Sequence, residues 1–82
     1  MDLRIKLFGP AARLADSSEL TLHAVDAGIT CRGVKQALAR QYPHLSPQLA
    51  AARLAVNYSY VSDDTPLFPR DEIALIQAVS GG

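Results

Sequence analysis

A single helical stripe, closed by a proline, limits what this 82-residue chain can become. Val34, Leu38 and Tyr42 recur at i, i+4 and i+8, with Ala37 and Gln41 between them. That spacing puts apolar groups on one side of a helix over about residues 31–41. Thr30 stands where an N-cap is wanted, because its hydroxyl accepts from a first-turn N–H that has no partner inside the helix. Pro43 ends the helix, since the residue ahead of a proline is pushed out of the helical region. Gly33 runs against helix propensity, and close packing at that point would account for it. A lone stripe has no second helix to lie on. It must be covered by something else.

The rest of the chain reads as strands. In residues 3–8, Leu3, Ile5 and Leu7 alternate with Arg4, Lys6 and Phe8, the pattern of a half-buried strand. Gly9-Pro10 ends it, Ala11 to Ala15 read as a short helical turn, and Asp16-Ser17-Ser18 as a turn. Residues 19–23 alternate again with Leu20 and Leu22 inward. Gln48 to Ala52 suggest one more helical turn. Arg53 to Tyr58 form a third strand, Tyr60-Val61-Ser62 a short fourth, and Glu72 to Ile76 a last one with apolar residues on both faces. Such a strand belongs in the middle of a sheet. The order is strand, strand, helix, strand, strand, strand. One helix on one face of a mixed sheet is a two-layer α+β domain, with first and last strands side by side and parallel. The expected fold is the β-grasp, or ubiquitin-like, arrangement: a mixed five-strand sheet packed on one main helix over residues 1–77, followed by a flexible tail at 78–82.

Several function classes are disfavoured. Eight basic and eight acidic residues cancel, so no charge excess argues for nucleic acid or an anionic membrane. No 18-residue apolar run and no signal-peptide pattern are present, and a cytoplasmic protein is expected. The single cysteine, Cys31, excludes an internal disulfide and a cysteine-rich zinc site. His23 and His44 fall on different elements without ligand spacing. No phosphate-binding glycine loop occurs, so no cofactor or metal is expected on this chain. Cys31 begins a helix, where a thiolate is favoured, yet a small buried residue is the commoner role. With no other nucleophile–base set in register, the chain is expected to be non-catalytic alone.

The chemistry is expected at the end. The sequence closes on Val79-Ser80-Gly81-Gly82, and two glycines without Cβ atoms make a segment thin enough to thread a narrow channel. Ala78 to Gly82, extended, reach roughly 17 Å. The expectation is a tail that presents the Gly82 carboxylate to another protein, with Gly81 giving it slimness. Phe8 and Ile76 break an otherwise polar or small outward pattern near the tail's root, and Tyr60 extends it. Together they suggest a docking patch. Asp63, Asp64, Asp71 and Glu72 invite a steering role for a basic partner, against the commoner reading of solvated turns.

Leu7-Phe8-Gly9-Pro10, Tyr42-Pro43, Ala55-Val56-Asn57, Asp71-Glu72-Ile73-Ala74-Leu75 and Val79-Ser80-Gly81-Gly82, in that order, resemble the small subunit of molybdopterin synthase across essentially the whole chain. Two positions depart: Arg70 stands where that family often has glycine, and Gln77-Ala78 where it often has Pro-Pro. The resemblance implies a sulfur carrier in molybdenum cofactor biosynthesis. An ATP-dependent adenylating enzyme, similar to ubiquitin-activating ones and using MgATP, would activate Gly82, and a sulfur source would turn it into a thiocarboxylate. The large synthase subunit, as a heterotetramer with this chain, would then use that sulfur on a pterin precursor, with Phe8, Tyr60, Ile76 and Val79 docking. Neighbouring possibilities that share the glycines are a carrier for thiamine or another thiolated product and a ubiquitin-like protein modifier.

Overall fold

The computed structural model describes residues 1–77. Five strands, β1 (Leu3–Leu7), β2 (Glu19–Leu22), β3 (Ala52–Val56), β4 (Ser59–Tyr60) and β5 (Ile73–Gln77), form one mixed sheet in the order β2-β1-β5-β3-β4. β5 is central. It pairs in parallel with β1, with Ile5 opposite Ile73 and Leu7 opposite Leu75, and antiparallel with β3, with Leu54 opposite Leu75. The first and last strands are therefore neighbours, as the β-grasp arrangement requires.

Three helices accompany the sheet: α1 (Gly9–Ala15), α2 (Cys31–Gln41) and α3 (Ser46–Leu49), with a 3-10 turn at Pro43–Leu45 ahead of α3. α2 has the bounds that its stripe and proline predict. Thr30 Oγ1 accepts from the Gly33 N–H at 3.3 Å. The first two amides of α2 donate outward instead, Cys31 to the Thr65 carbonyl and Arg32 to that of Asp63, each at 3.0 Å. These groups have no partner inside a helix, and the loop between β4 and β5 supplies it. Gly33 is a packing glycine: a Cβ there would sit 2.7 Å from Cγ1 of Ile29.

Val34, Ala37 and Leu38 of α2 are fully buried over one face of the sheet, against Leu3, Ile5, Leu7, Leu22, Leu54, Ile73 and Leu75. Tyr42 is half-buried and its hydroxyl donates to the Thr21 carbonyl at 2.7 Å, while Gln41 bonds both the N–H and the carbonyl of His23. The C-terminal end of α2 thus secures the β2 edge, where open backbone groups would otherwise invite pairing.

Some expectations shift. β1 ends at Leu7, and Phe8 is the N-cap of α1 rather than a strand residue. α1 begins two residues earlier than expected because Gly9 takes φ +56° and Pro10 fits a first helical turn. β3 stops at Val56 and β4 starts at Ser59, so Asn57-Tyr58 are a two-residue hairpin turn and not strand. Leu67, between β4 and β5, carries no sequence expectation and is fully buried; its N–H donates to the Ile29 carbonyl at 2.8 Å, beside the start of α2.

Candidate functional site

The face of the sheet opposite α2 carries a shallow open groove of about 330 Å³. Its origin is a register row. Lys6 of β1 stands opposite Ala74 of β5, Ala74 opposite Ala55 of β3, and Ala55 opposite Tyr60 of β4. Side chains on one face of neighbouring strands stand beside one another. Two alanines in the middle of the row therefore leave a trough between larger flanks. Phe8, Tyr58, Tyr60, Glu72 and Ile76 complete the lining with Lys6.

Three of the four residues expected to dock a partner, Phe8, Tyr60 and Ile76, are thus brought together. Phe8 is 52% and Tyr60 54% exposed, and Ile76 is half-buried. Phe8 arrives from the N-cap of α1, Tyr60 from the edge strand, and Ile76 from the central strand just before the chain passes to Ala78. The Arg53 guanidinium lies 4.4 Å from the centre of the Tyr60 ring, holding that aromatic in place by cation–π attraction. Val79, Gly81 and Gly82 lie outside the described residues.

Sequence reasoning did not single out Lys6, Ala55, Tyr58 or Ala74 as part of this site, and it read Glu72 as a solvated turn residue or a steering charge. The alanine floor was legible in principle, since Ala74 shares parity with Ile76 and Ala55 is its partner once β5 is placed centrally. Tyr58 was hidden by being read as strand.

Charge in the groove is internally balanced. Lys6 Nζ donates to Glu72 Oε1. Contact with Lys6 holds the Glu72 carboxyl below its ordinary range, and the same pair raises Lys6 above its own. The Tyr58 phenol is also raised, through hydrogen bonding and charge from Glu72. The other acidic candidates are tied down as well. Asp64 pairs with Arg32 at 2.8 Å and Asp63 lies 3.9 Å from Lys35. Asp71 accepts from the Phe68 N–H and from Asn57 Nδ2. These carboxylates hold turns and the start of α2.

Cys31 is buried at the start of α2. The helix position alone favours the thiolate, but the structure reverses that direction: burial, then the charge of Asp63, push the thiol up. The sulfur is held protonated and enclosed. Among the described residues, no group of three or more His, Cys, Asp or Glu side chains could hold a metal ion, and no helix is long and apolar enough to cross a membrane.

The ThiS family matches residues 5–82. The chain is 30% identical over 82 residues to the molybdopterin synthase sulfur carrier subunit of Arabidopsis thaliana, covering 100% of this chain and 84% of that protein. Among solved structures, SAMP1 from Haloferax volcanii superposes with a TM-score of 0.82 at 24% identity, covering 100% of both chains. A chain from the complex of subunits 1 and 2 of the molybdopterin-converting factor of Helicobacter pylori superposes at 0.67 with 23% identity, again over 100% of both chains. The two structural likenesses confirm the ubiquitin-like fold.

Proposed function

From the premise that this chain belongs to the ThiS family, we propose that it is a sulfur carrier, the small subunit of a molybdopterin synthase, which donates sulfur from a thiocarboxylate on Gly82. The observation that supports this reading most is the convergence of Phe8, Tyr60 and Ile76 on one groove beside the strand that leads into the Gly-Gly segment. The 30% identity to a plant sulfur carrier subunit favours the pterin pathway over thiamine or protein modification.

The chemistry follows from the weakness of a carboxylate as an acyl donor. At neutral pH the Gly82 carboxylate is ionised, with an ordinary pKa of about 3.5, and has no leaving group. A separate adenylating enzyme joins it to AMP from MgATP and releases pyrophosphate. Sulfide sulfur from a donor then attacks the acyl carbon, AMP leaves, and a thiocarboxylate remains. Inside the large synthase subunit that sulfur bonds to a side-chain carbon of the pterin precursor as an oxygen substituent leaves it, giving an acyl thioester. Water returns the acyl group to a carboxylate. Acid–base groups belong to the large subunit. This chain contributes the handle, a side-chain-free approach at Gly81 and Gly82, and the docking face that includes Val79. Two carriers and two large subunits form a heterotetramer, and the activating enzyme and the synthase use the tail in turn.

The test is an intact mass after incubation with the activating enzyme, ATP and a sulfur donor. Replacement of one oxygen by sulfur, mapped to Gly82, is expected. An unchanged mass under conditions that load an established carrier removes the reading. Binding by a thiazole-forming enzyme instead of the large synthase subunit moves the chain to the thiamine branch, and Gly82–lysine adducts move it to protein modification.

A further inference from the structure

Three tyrosines in this chain have three different surroundings. Tyr42 is half-buried with its hydroxyl bonded to a backbone carbonyl. Tyr60 is braced by Arg53. Tyr58 is 88% exposed, the most exposed large hydrophobic residue described. It also occupies the second position of the hairpin turn between β3 and β4, with φ +70° after Asn57 at φ +52°. A two-residue turn with both φ positive is the type that suits the twist of a hairpin, and it favours Asn followed by Gly. Asn57 obeys the rule. Tyr58 breaks it, because a bulky side chain at positive φ crowds its own backbone. The fold therefore gains little from a ring at this position: the backbone is strained, the ring meets water, and the hydroxyl reaches a Glu72 carboxylate that Lys6 already pairs. Residues that break a local rule without a structural return are expected at functional sites.

We propose that Tyr58 is a specificity-determining anchor for the large subunit, a ring held out from the groove's rim to enter an apolar slot on that partner. The inference rests on the functional reading above, and continuity supports it: Tyr58 lines the same groove as Phe8, Tyr60 and Ile76. Tyrosine suits the role, since it offers a large rigid contact area with few rotatable bonds and a hydroxyl for the wetter lip of a pocket. The neighbouring charges do not compete for the partner. Glu72 is already paired with Lys6, and Tyr58 stands beside both. The slot it fits is thus apolar at its base with a polar group at its mouth.

The test uses the full chain and the purified large synthase subunit of the same organism, with affinity and dissociation rate measured alongside Tm. Tyr58→Gly and Tyr58→Asn relieve the backbone and remove the ring. Both are expected to keep or raise Tm while dissociation from the large subunit speeds up about tenfold or more, with association little changed. Tyr58→Phe keeps the ring and should stay within about threefold of the parent affinity. Should Tyr58→Gly fail to fold, Tyr58→Asn carries the measurement, because Asn tolerates positive φ. A fall in Tm for both ring-removing variants, or parent-like dissociation in both, overturns the proposal. Ile76→Lys is the control: if it weakens binding while the Tyr58 variants do not, only this inference fails. If the parent chain does not bind the large subunit at all, the functional reading fails first and this one with it.

Discussion

The two faces of the sheet are built from the same strands and obey opposite rules. On the α2 side, Leu3, Ile5, Leu7, Leu54, Ile73 and Leu75 are closed over completely. On the other side the same strands alternate to Lys6, Ala55, Ala74 and Ile76, a floor of two small residues with large ones standing open around it. One face spends its apolar surface on folding, and the other keeps it available. The lesson is that stability and binding should separate cleanly by strand parity, and variants can be chosen to break that separation.

The largest effect is expected on the packed face. Leu38 is fully buried at the centre of the α2 stripe, so Leu38→Ala removes buried methyl groups and leaves a cavity. The expected loss is about 2–5 kcal/mol. In a domain of this size that is a Tm drop of roughly 4–8 °C for each kcal/mol. Thermal melting followed by circular dichroism measures it. Binding of the large subunit, measured well below the new Tm, should change less than twofold. A drop of only a degree or two would mean that α2 does not hold the fold together.

The next effect is on the open face and has the opposite signature. Ile76→Lys places a charge that must be buried whenever a partner covers the groove. Affinity for the large subunit should fall tenfold to a hundredfold, about 1.4–2.7 kcal/mol, with Tm moving little because Ile76 is only half-buried. Calorimetric titration gives the affinity. Unchanged affinity would remove Ile76 from the interface, and a collapse in Tm would show that the two faces are not separable.

How much of this division was visible beforehand depends on what each element relies on. α2 was legible to the residue because its stripe, Thr30 cap and Pro43 stop act locally. The inward sets of β1 and β2 followed from alternation alone. Phe8, Tyr60 and Ile76 were found together although two of their elements had misplaced boundaries, because an outward aromatic keeps its side of the sheet even when a strand ends one residue early. The failures share a cause. Leu67 carries no period, and its burial depends on the Ile29 carbonyl that receives its N–H. Tyr58 has the composition of a strand residue and the backbone of a glycine. The alanine floor needs β5 between β1 and β3, a pairing between residues far apart in sequence.

A third variant probes where the two faces meet. Asn57 turns the hairpin at φ +52° and ties it to the entry of β5: its Oδ1 accepts from the Glu72 N–H at 3.0 Å and its Nδ2 donates to Asp71 at 3.2 Å. Asn57→Ala loses both bonds and the tolerance for positive φ, for an expected cost of about 1–2 kcal/mol. Chemical denaturation quantifies it. Since the same turn presents Tyr58, partner affinity should fall as well, in contrast to Leu38→Ala. Lost stability with intact affinity would show that the turn's geometry does not position the groove.

The smallest effect is the pH dependence of the Lys6–Glu72 pair, which crosses from β1 to the start of β5 on the open face. Glu72 has a folded value below its ordinary one, so its contribution is present above the ordinary carboxylate range, near 4.3, and is lost as pH falls through the lower folded value. Lys6 has a folded value above its ordinary one near 10.4, so its contribution is present below that and is lost as pH rises through the higher folded value. The pair therefore acts across the neutral range and fades on the acid side. Both side chains are substantially exposed, so the gain is modest and screened by salt. Glu72→Gln should lower Tm slightly at pH 7, and the difference from the parent should shrink as pH falls through the lowered Glu72 value, or in 1 M salt. Part of the parent's acid loss should survive in the variant. Asp2, at the far end of the sheet, is also held below its ordinary range, chiefly by the Ala24 N–H that it accepts at 3.1 Å. A Glu72→Gln difference that persists at low pH would show that the carboxylate acts through packing and not through its charge, and the open face would then contribute to folding in the same way as the buried one.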